Sequence, residues 1–263
     1  MITTYMARAG LLAAVTFTIR APLVESTAPD ISAVVDSLRP IIDRALLTGR
    51  LTDFDDAIGF VDRHLSVTPG EPVLLHYRGF ALFRKASILT STHTGSRAAR
   101  MMLEESDRAL DQSSKTLAWP ETLALRAAVA GQLIGSSGPF GALRLGPRSA
   151  KLLDQAVARG GDNPRVWLLK GIASLYAPKL FGGSPEKAER ALLRALLLFK
   201  SDRSTSPAPW WGYAEAYGWL GQAYARQGRS ADARAAYLHA LELQPGNIWI
   251  TRMLLPEPDR AAR

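Results

Sequence analysis

Between Leu220 and Asn247 the chain reads LGQAYARQGRSADARAAYLHALELQPGN, and its small and large apolar residues recur at fixed intervals. Counting from Ala214 as position 1, Tyr217, Leu220, Gly221, Tyr224, Ala233, Tyr237, Ala240 and Pro245 fall at positions 4, 7, 8, 11, 20, 24, 27 and 32. This spacing predicts two antiparallel helices. Gly221 and Ala233 are small where the helices cross closely, and Tyr224 and Tyr237 are expected to fill the space toward the next pair. Pro245 ends the second helix, because proline cannot continue one. A single pair cannot bury its own apolar face, so neighbouring units are required.

The rest of the chain supplies them. Helical periodicity dominates from Asp30 onward, and turns rich in Pro and Gly recur near Pro69, Pro120, Pro164, Pro207 and Pro245, a spacing of about 40 residues. Counting from Pro164, Trp167 and Gly171 take positions 4 and 8. Ala188, Leu192 and Ala195 take positions 20, 24 and 27 after a five-residue insertion. Counting from Pro72, Leu75, Gly79 and Leu82 take positions 4, 8 and 11, and the helix AARMMLEESDRAL follows with Ala109 assigned to position 27. ETLALRAAVAGQLI and PRSAKLLDQAVARG form a pair separated by the glycine-rich loop Gly135–Gly141, and Ile31–Leu47 pairs with the helix ending at Pro69.

This pattern resembles the tetratricopeptide repeat. The resemblance implies an all-α, right-handed α-solenoid of about five such helix pairs over residues 29–247, with residues 248–263 as a C-terminal cap and tail. The stretch PKLFGGSPEKAERALLRAL is in addition similar to the T-component proteins of TRAP-type solute transporters. That similarity implies a solute-handling accessory with an enclosed cavity and a defined oligomer.

Residues 1–28 have the layout of a secretory signal peptide. One positive charge, Arg8, precedes the apolar stretch Ala9–Ile19, and Ser26–Ala28 has the small–x–small form of a cleavage site. The expected location is periplasmic or secreted, with a cytoplasmic location as the alternative. No stretch reaches the 18 or more apolar residues of a stable membrane span.

Composition narrows the chemistry. With no cysteine, disulfides, thiolate metal sites, a catalytic cysteine and an acylated anchor are excluded. The net charge is +8, and seven of the 32 basic residues are lysine, the rest arginine. Arginine alternates with Asp and Glu without a long basic run, so no nucleic-acid partner is expected. The four histidines are scattered, and the H-E-x-x-H, G-x-x-x-x-G-K-[ST] and G-x-S-x-G motifs are absent. The chain is therefore expected not to be an enzyme and to need no cofactor or metal.

What remains is a binding or scaffold role toward a protein or peptide. First helices of such repeats line a concave surface. By repeat position the candidate contact residues are His76, Phe80, Phe83 and Arg84 in the second unit, Arg165 and Tyr176 in the fourth, and Gln222 and Arg226 in the fifth. Arginines there can grip a carboxylate or an extended peptide. The carboxylate clamp of chaperone-docking repeats needs asparagines on successive first helices, and the two asparagines here, Asn163 and Asn247, fall in turns. Trp210, Trp211, Trp219, Tyr213, Tyr217 and Trp249 are expected to form an aromatic plug closing the array, with a stacking platform as the alternative.

Overall fold

The computed structural model describes residues 29–91, 96–135, 137–179 and 182–255. The proposed leader, residues 1–28, lies outside the described residues, as does the end of the tail beyond Leu255. Ten α-helices account for most of the described chain: α1 Ile31–Thr48, α2 Leu51–Val67, α3 Pro72–Ser91, α4 Ser96–Ser113, α5 Pro120–Ile134, α6 Gly138–Arg159, α7 Pro164–Tyr176, α8 Pro185–Phe199, α9 Tyr213–Arg226 and α10 Ser230–Leu243. A π-helical turn, Trp249–Leu254, follows. No strand occurs among the described residues.

The boundaries follow local chemistry. Pro120, Pro164 and Pro185 open their helices, where a missing N–H has no intrahelical partner to lose. Asp30, Asn163 and Ser184 cap the free N–H groups of the first turns of α1, α7 and α8 with their side chains. Gly49 ends α1 in the left-handed region, at φ 61°.

The helices pack as five adjacent pairs, α1 with α2 through α9 with α10, and each pair stacks on the next. The stripe that holds a pair together is the one the repeat spacing predicts. A Cβ on Gly79 would lie 2.5 Å from Leu110 Cγ, and one on Gly171 would lie 2.5 Å from Leu192 Cγ. A Cβ on Gly221 would overlap the Tyr237 ring. Position 8 is glycine in these units because position 24 of the partner helix rests directly on it. Tyr237 thus packs within its own pair, and its hydroxyl accepts from Gln222 Nε2 at 3.1 Å.

This contact also corrects the register of α4. Leu110, not Ser106, occupies position 24, so position 27 falls on Ser113 and not on Ala109. Both positions that call for a small residue are serines with no exposed surface. Ser106 Oγ donates to the Gly79 carbonyl at 2.7 Å, and Ser113 Oγ donates to the Pro72 carbonyl at 2.7 Å. A serine whose hydroxyl is bonded to the neighbouring backbone carries no unpaired polar group, so it serves as well as alanine. Ser149 of α6 repeats the device on the Ala127 carbonyl at 2.8 Å.

A second correction concerns the third unit. The glycine-rich loop expected over Gly135–Gly141 is largely absorbed into α6, which begins at Gly138 and runs for 22 residues. Pro139 sits in its first turn, where proline favours helix.

Candidate functional site

The inner surface of the array is occupied by the chain itself. Between α8 and α9, residues 200–212 cross the faces of the first helices. Ser206 Oγ donates to the Ser32 carbonyl at 2.9 Å, and Trp210 Nε1 donates to Asp43 Oδ1 at 2.7 Å, both on α1. Arg39 lies over the Trp210 ring, 4.2 Å from its centroid. On α3, Tyr77 donates its hydroxyl to the Pro207 carbonyl at 2.7 Å, and Phe80 stacks on Trp211. On α7, Arg165 Nη2 donates to Asp202 at 2.7 Å, and Leu168 lies against Gly212. The Ser206–Pro207 peptide bond is cis. Beyond the segment, Arg84 of α3 pairs with Glu215 in the first turn of α9 at 2.5 Å.

These contacts place the predicted concave residues. His76 is wholly buried. Its Nδ1 lies 2.9 Å from Thr122 Oγ1, and its ring stands edge-on to Tyr77 and Trp119. Burial, reinforced by the Arg165 charge, holds its pKa down at about 3, so it is neutral. Phe80 and Phe83 are core residues. Arg165 is 1 % exposed, its guanidinium taken up by Asp202 and the face of Phe199. Burial raises the carboxyl pKa of Asp202, but hydrogen bonds from Ser204 and Arg165 and the Arg165 charge lower it by more. Arg226 donates to the Leu175 carbonyl at 2.5 Å and covers the Tyr176 ring, which remains 59 % exposed. Gln222 is held by Tyr237. Repeat position thus finds inward-facing side chains, but His76, Phe80, Phe83 and Arg165 are consumed by the interior. Residues 200–212 take up Phe80 and Arg165, and Thr122, Tyr77 and Trp119 enclose His76.

Of the predicted residues, Arg84 lines an open cleft. This cleft, of about 240 Å³, lies at the edge of the filled groove, bounded by Asp43, Arg84, Trp210, Glu215, Asn247 and Trp249 among others. Each carboxylate holds an indole: Asp43 accepts from Trp210, and Glu215 Oε1 accepts from Trp219 Nε1 at 3.1 Å as well as from Arg84. The cleft is smaller than the roughly 300–1,000 Å³ of small-molecule sites, and its size suits one anchoring side chain. Of these residues, Asp43 and Asn247 escaped sequence reasoning. Asp43 faces inward one turn after Arg39, and nothing in its neighbourhood distinguishes it from a solvated helix face.

The tryptophan cluster divides in two. Trp210 and Trp211 belong to the crossing segment. Trp219 and Trp249 pack on each other with centroids 4.9 Å apart, over Gly218, where a Cβ would meet Trp249 at 2.6 Å. This second half closes the end of the array, with Ile250 buried beside it. The described part of the transporter-like stretch forms the connection before α8, its cap and most of the helix, and lines neither this cleft nor the one between α4 and α6.

Helices stacked in adjacent pairs around an inner face define a helical-repeat protein. Residues 214–247 match the family model of the tetratricopeptide repeat, the stretch whose spacing is most regular. Two solved structures share the fold. The HusA haemophore from Porphyromonas gingivalis aligns over 76 % of this chain and 96 % of its own, at 20 % identity and a TM-score of 0.62. The tetratricopeptide-repeat protein TTC0263 from Thermus thermophilus aligns over 82 % of this chain and 94 % of its own, at 17 % identity and a TM-score of 0.58. No curated protein matches in sequence. Residues 214–247 thus form a tetratricopeptide repeat, and the other helix pairs stack in the same all-helical repeat fold.

Proposed function

We propose that this protein is a non-catalytic scaffold that binds an extended peptide of a protein partner at the cleft bounded by Asp43, Arg84, Trp210, Glu215 and Trp249. The observation that carries this reading is the crossing segment itself. A non-helical stretch of chain, turned at Thr205–Ala208, is held on the inner face through one backbone carbonyl, Pro207, and two indoles. The same inner-face chemistry continues into the cleft, where aromatic walls and two carboxylates stand together. A lysine or arginine anchor fits that lining. Its stem packs on Trp249, and its donors reach the lone pairs of Asp43 and Glu215 not used by Trp210, Trp219 and Arg84.

Peptides selected from a random library on the purified protein test this. The expected selection is enriched in one basic anchor position. Binding then falls roughly tenfold or more in Asp43→Asn, which removes one charge-assisted hydrogen bond. Selected peptides that bind Asp43→Asn and Trp249→Ala as well as they bind the parent rule the cleft out.

The reading extends to the compartment. The charge, apolar stretch and small–x–small site within residues 1–28 support export, and with it a partner in the cell envelope. Expression of the full chain in a bacterial host decides this. A periplasmic product shortened to begin near Pro29 supports export, and a full-length cytoplasmic product removes it.

A further inference from the structure

A second cleft, of about 280 Å³, lies between α4 and α6, and its chemistry differs from the first. Arg100 and Arg108 of α4 and Arg144 and Arg148 of α6 line it, against two acids, Glu104 and Asp107. Arg100 Nε pairs with Glu104 at 3.0 Å, and Arg148 Nη2 pairs with Asp107 at 2.7 Å. Arg108 and Arg144 have no acidic partner among the described residues. Both are exposed. The cleft therefore carries an excess of two positive charges on freely accessible guanidinium groups.

Arg144 also belongs to a stripe of α6 that no described residue covers. Phe140, Leu143, Arg144 and Pro147 follow the i, i+3, i+4, i+7 spacing of one helix face, and all four are exposed. Phe140 is 90 % exposed and Leu143 76 %. On α4, Met101 is 61 % exposed next to Arg100. Large apolar side chains exposed to this degree in a row are unusual on a surface that only faces water.

We propose that this face docks the protein on an anionic lipid bilayer. Charge and shape favour that occupant. An interfacial helix presents apolar side chains that enter the boundary between headgroups and acyl chains, while flanking arginines meet the headgroup phosphates. Phe140 and Leu143 supply the first element, and Arg108 and Arg144, with the paired Arg100 and Arg148, supply the second. The overall charge of +8 adds long-range attraction to a negative surface. Two apolar side chains are too few to hold a neutral membrane, so binding requires both elements together. No described helix is long and apolar enough to cross the membrane, so the contact is peripheral.

Co-sedimentation of the full chain with phosphatidylcholine vesicles, with and without phosphatidylglycerol, tests the proposal. The parent is expected to pellet with the anionic vesicles only, and less so as salt is raised. Each arginine at an anionic surface is worth roughly fivefold in partitioning, so Arg108→Gln/Arg144→Gln is expected to weaken binding about 25-fold. Phe140→Ser/Leu143→Ser should weaken it by at least tenfold while leaving the arginines in place. All four positions are exposed, and helicity by circular dichroism verifies the fold. The apolar stretch near the N-terminus is common to every variant, so differences among them report on this face alone. Equal binding to neutral vesicles, or variants that pellet like the parent, overturns the proposal. Concentration-dependent self-association that Phe140→Ser/Leu143→Ser abolishes, without vesicle binding, also overturns it and assigns the face to a second copy of the chain.

Discussion

Phe80 and Trp211 stack nearly parallel, with ring centroids 4.7 Å apart and an interplanar angle of 21°, although 131 residues separate them in sequence. This pair fastens the crossing segment to the second repeat. Trp211 is 4 % exposed, so Trp211→Ala would leave a large void against α3. The expected loss is about 3–5 kcal/mol, read as a lower urea midpoint. A loss below about 1 kcal/mol would mean that the segment is only loosely applied to the inner face.

Glycines on the pair interfaces and glycines outside them should respond with opposite sign. Gly171→Ala drives a Cβ into Leu192 and into the approach to the Ala188 carbonyl, so a loss of about 1–3 kcal/mol is expected. Gly59→Ala, within α2, meets only the flexible end of Arg63 at 3.6 Å and should gain up to about 1 kcal/mol from helix propensity. Thermal melts of the two variants beside the parent decide the matter. Equal shifts would refute the close crossing.

The ion pair between Arg165 and Asp202 is expected to be asymmetric in its response. Asp202→Asn strands a guanidinium that is 1 % exposed, and removing one partner of a buried pair typically costs about 3–5 kcal/mol. Arg165→Met/Asp202→Ser removes both charges and should recover much of that loss. Denaturant unfolding of both variants is the test, and a double variant as unstable as Asp202→Asn would contradict it.

His76 should make the fold sensitive to mild acid. Its folded pKa is about 3, against 6.5 for the free side chain. As pH falls below 6.5 the unfolded chain takes up a proton that the folded chain refuses. Stability from this group is therefore complete above about pH 6.5 and is lost as pH falls toward 3. The slope approaches 1.4 kcal/mol per pH unit. Urea unfolding of the parent and of His76→Gln between pH 5 and pH 7 separates this contribution from the carboxylates, which titrate lower. Identical slopes in the two proteins would place the effect elsewhere.

Much of the fold is legible in the spacing of a few residues. Gly79, Gly171 and Gly221 mark three close helix crossings, and prolines mark the openings of α3, α5, α7 and α8. The register of α4 is obscured because Ser106 and Ser113 stand where alanine is expected. Their suitability depends on hydroxyl bonds to the Gly79 and Pro72 carbonyls, which only the folded pair defines. The inner face is harder to read. Repeat position correctly turns His76, Phe80 and Arg165 inward, but it cannot say what they meet. Residues 200–212 have no helical period, so sequence pattern reads them as a connection. Their contacts with Ser32, Asp43, Tyr77 and Phe80 are long-range and leave no local trace. The cleft shares this origin, since Asp43 and Trp249 come together only once the first and last units do.

The crossing segment has a consequence for how the molecule comes apart. Arrays of stacked repeats normally behave as one-dimensional chains, in which end units fray and stability grows unit by unit. Here Trp210 ties the last unit's approach to α1, Trp211 ties it to α3, and Arg84 reaches α9 directly. The stack is bridged across its inner face, so α1 cannot melt without releasing the approach to α9. Hydrogen exchange should accordingly show α1 and the start of α9 opening together in a single cooperative event.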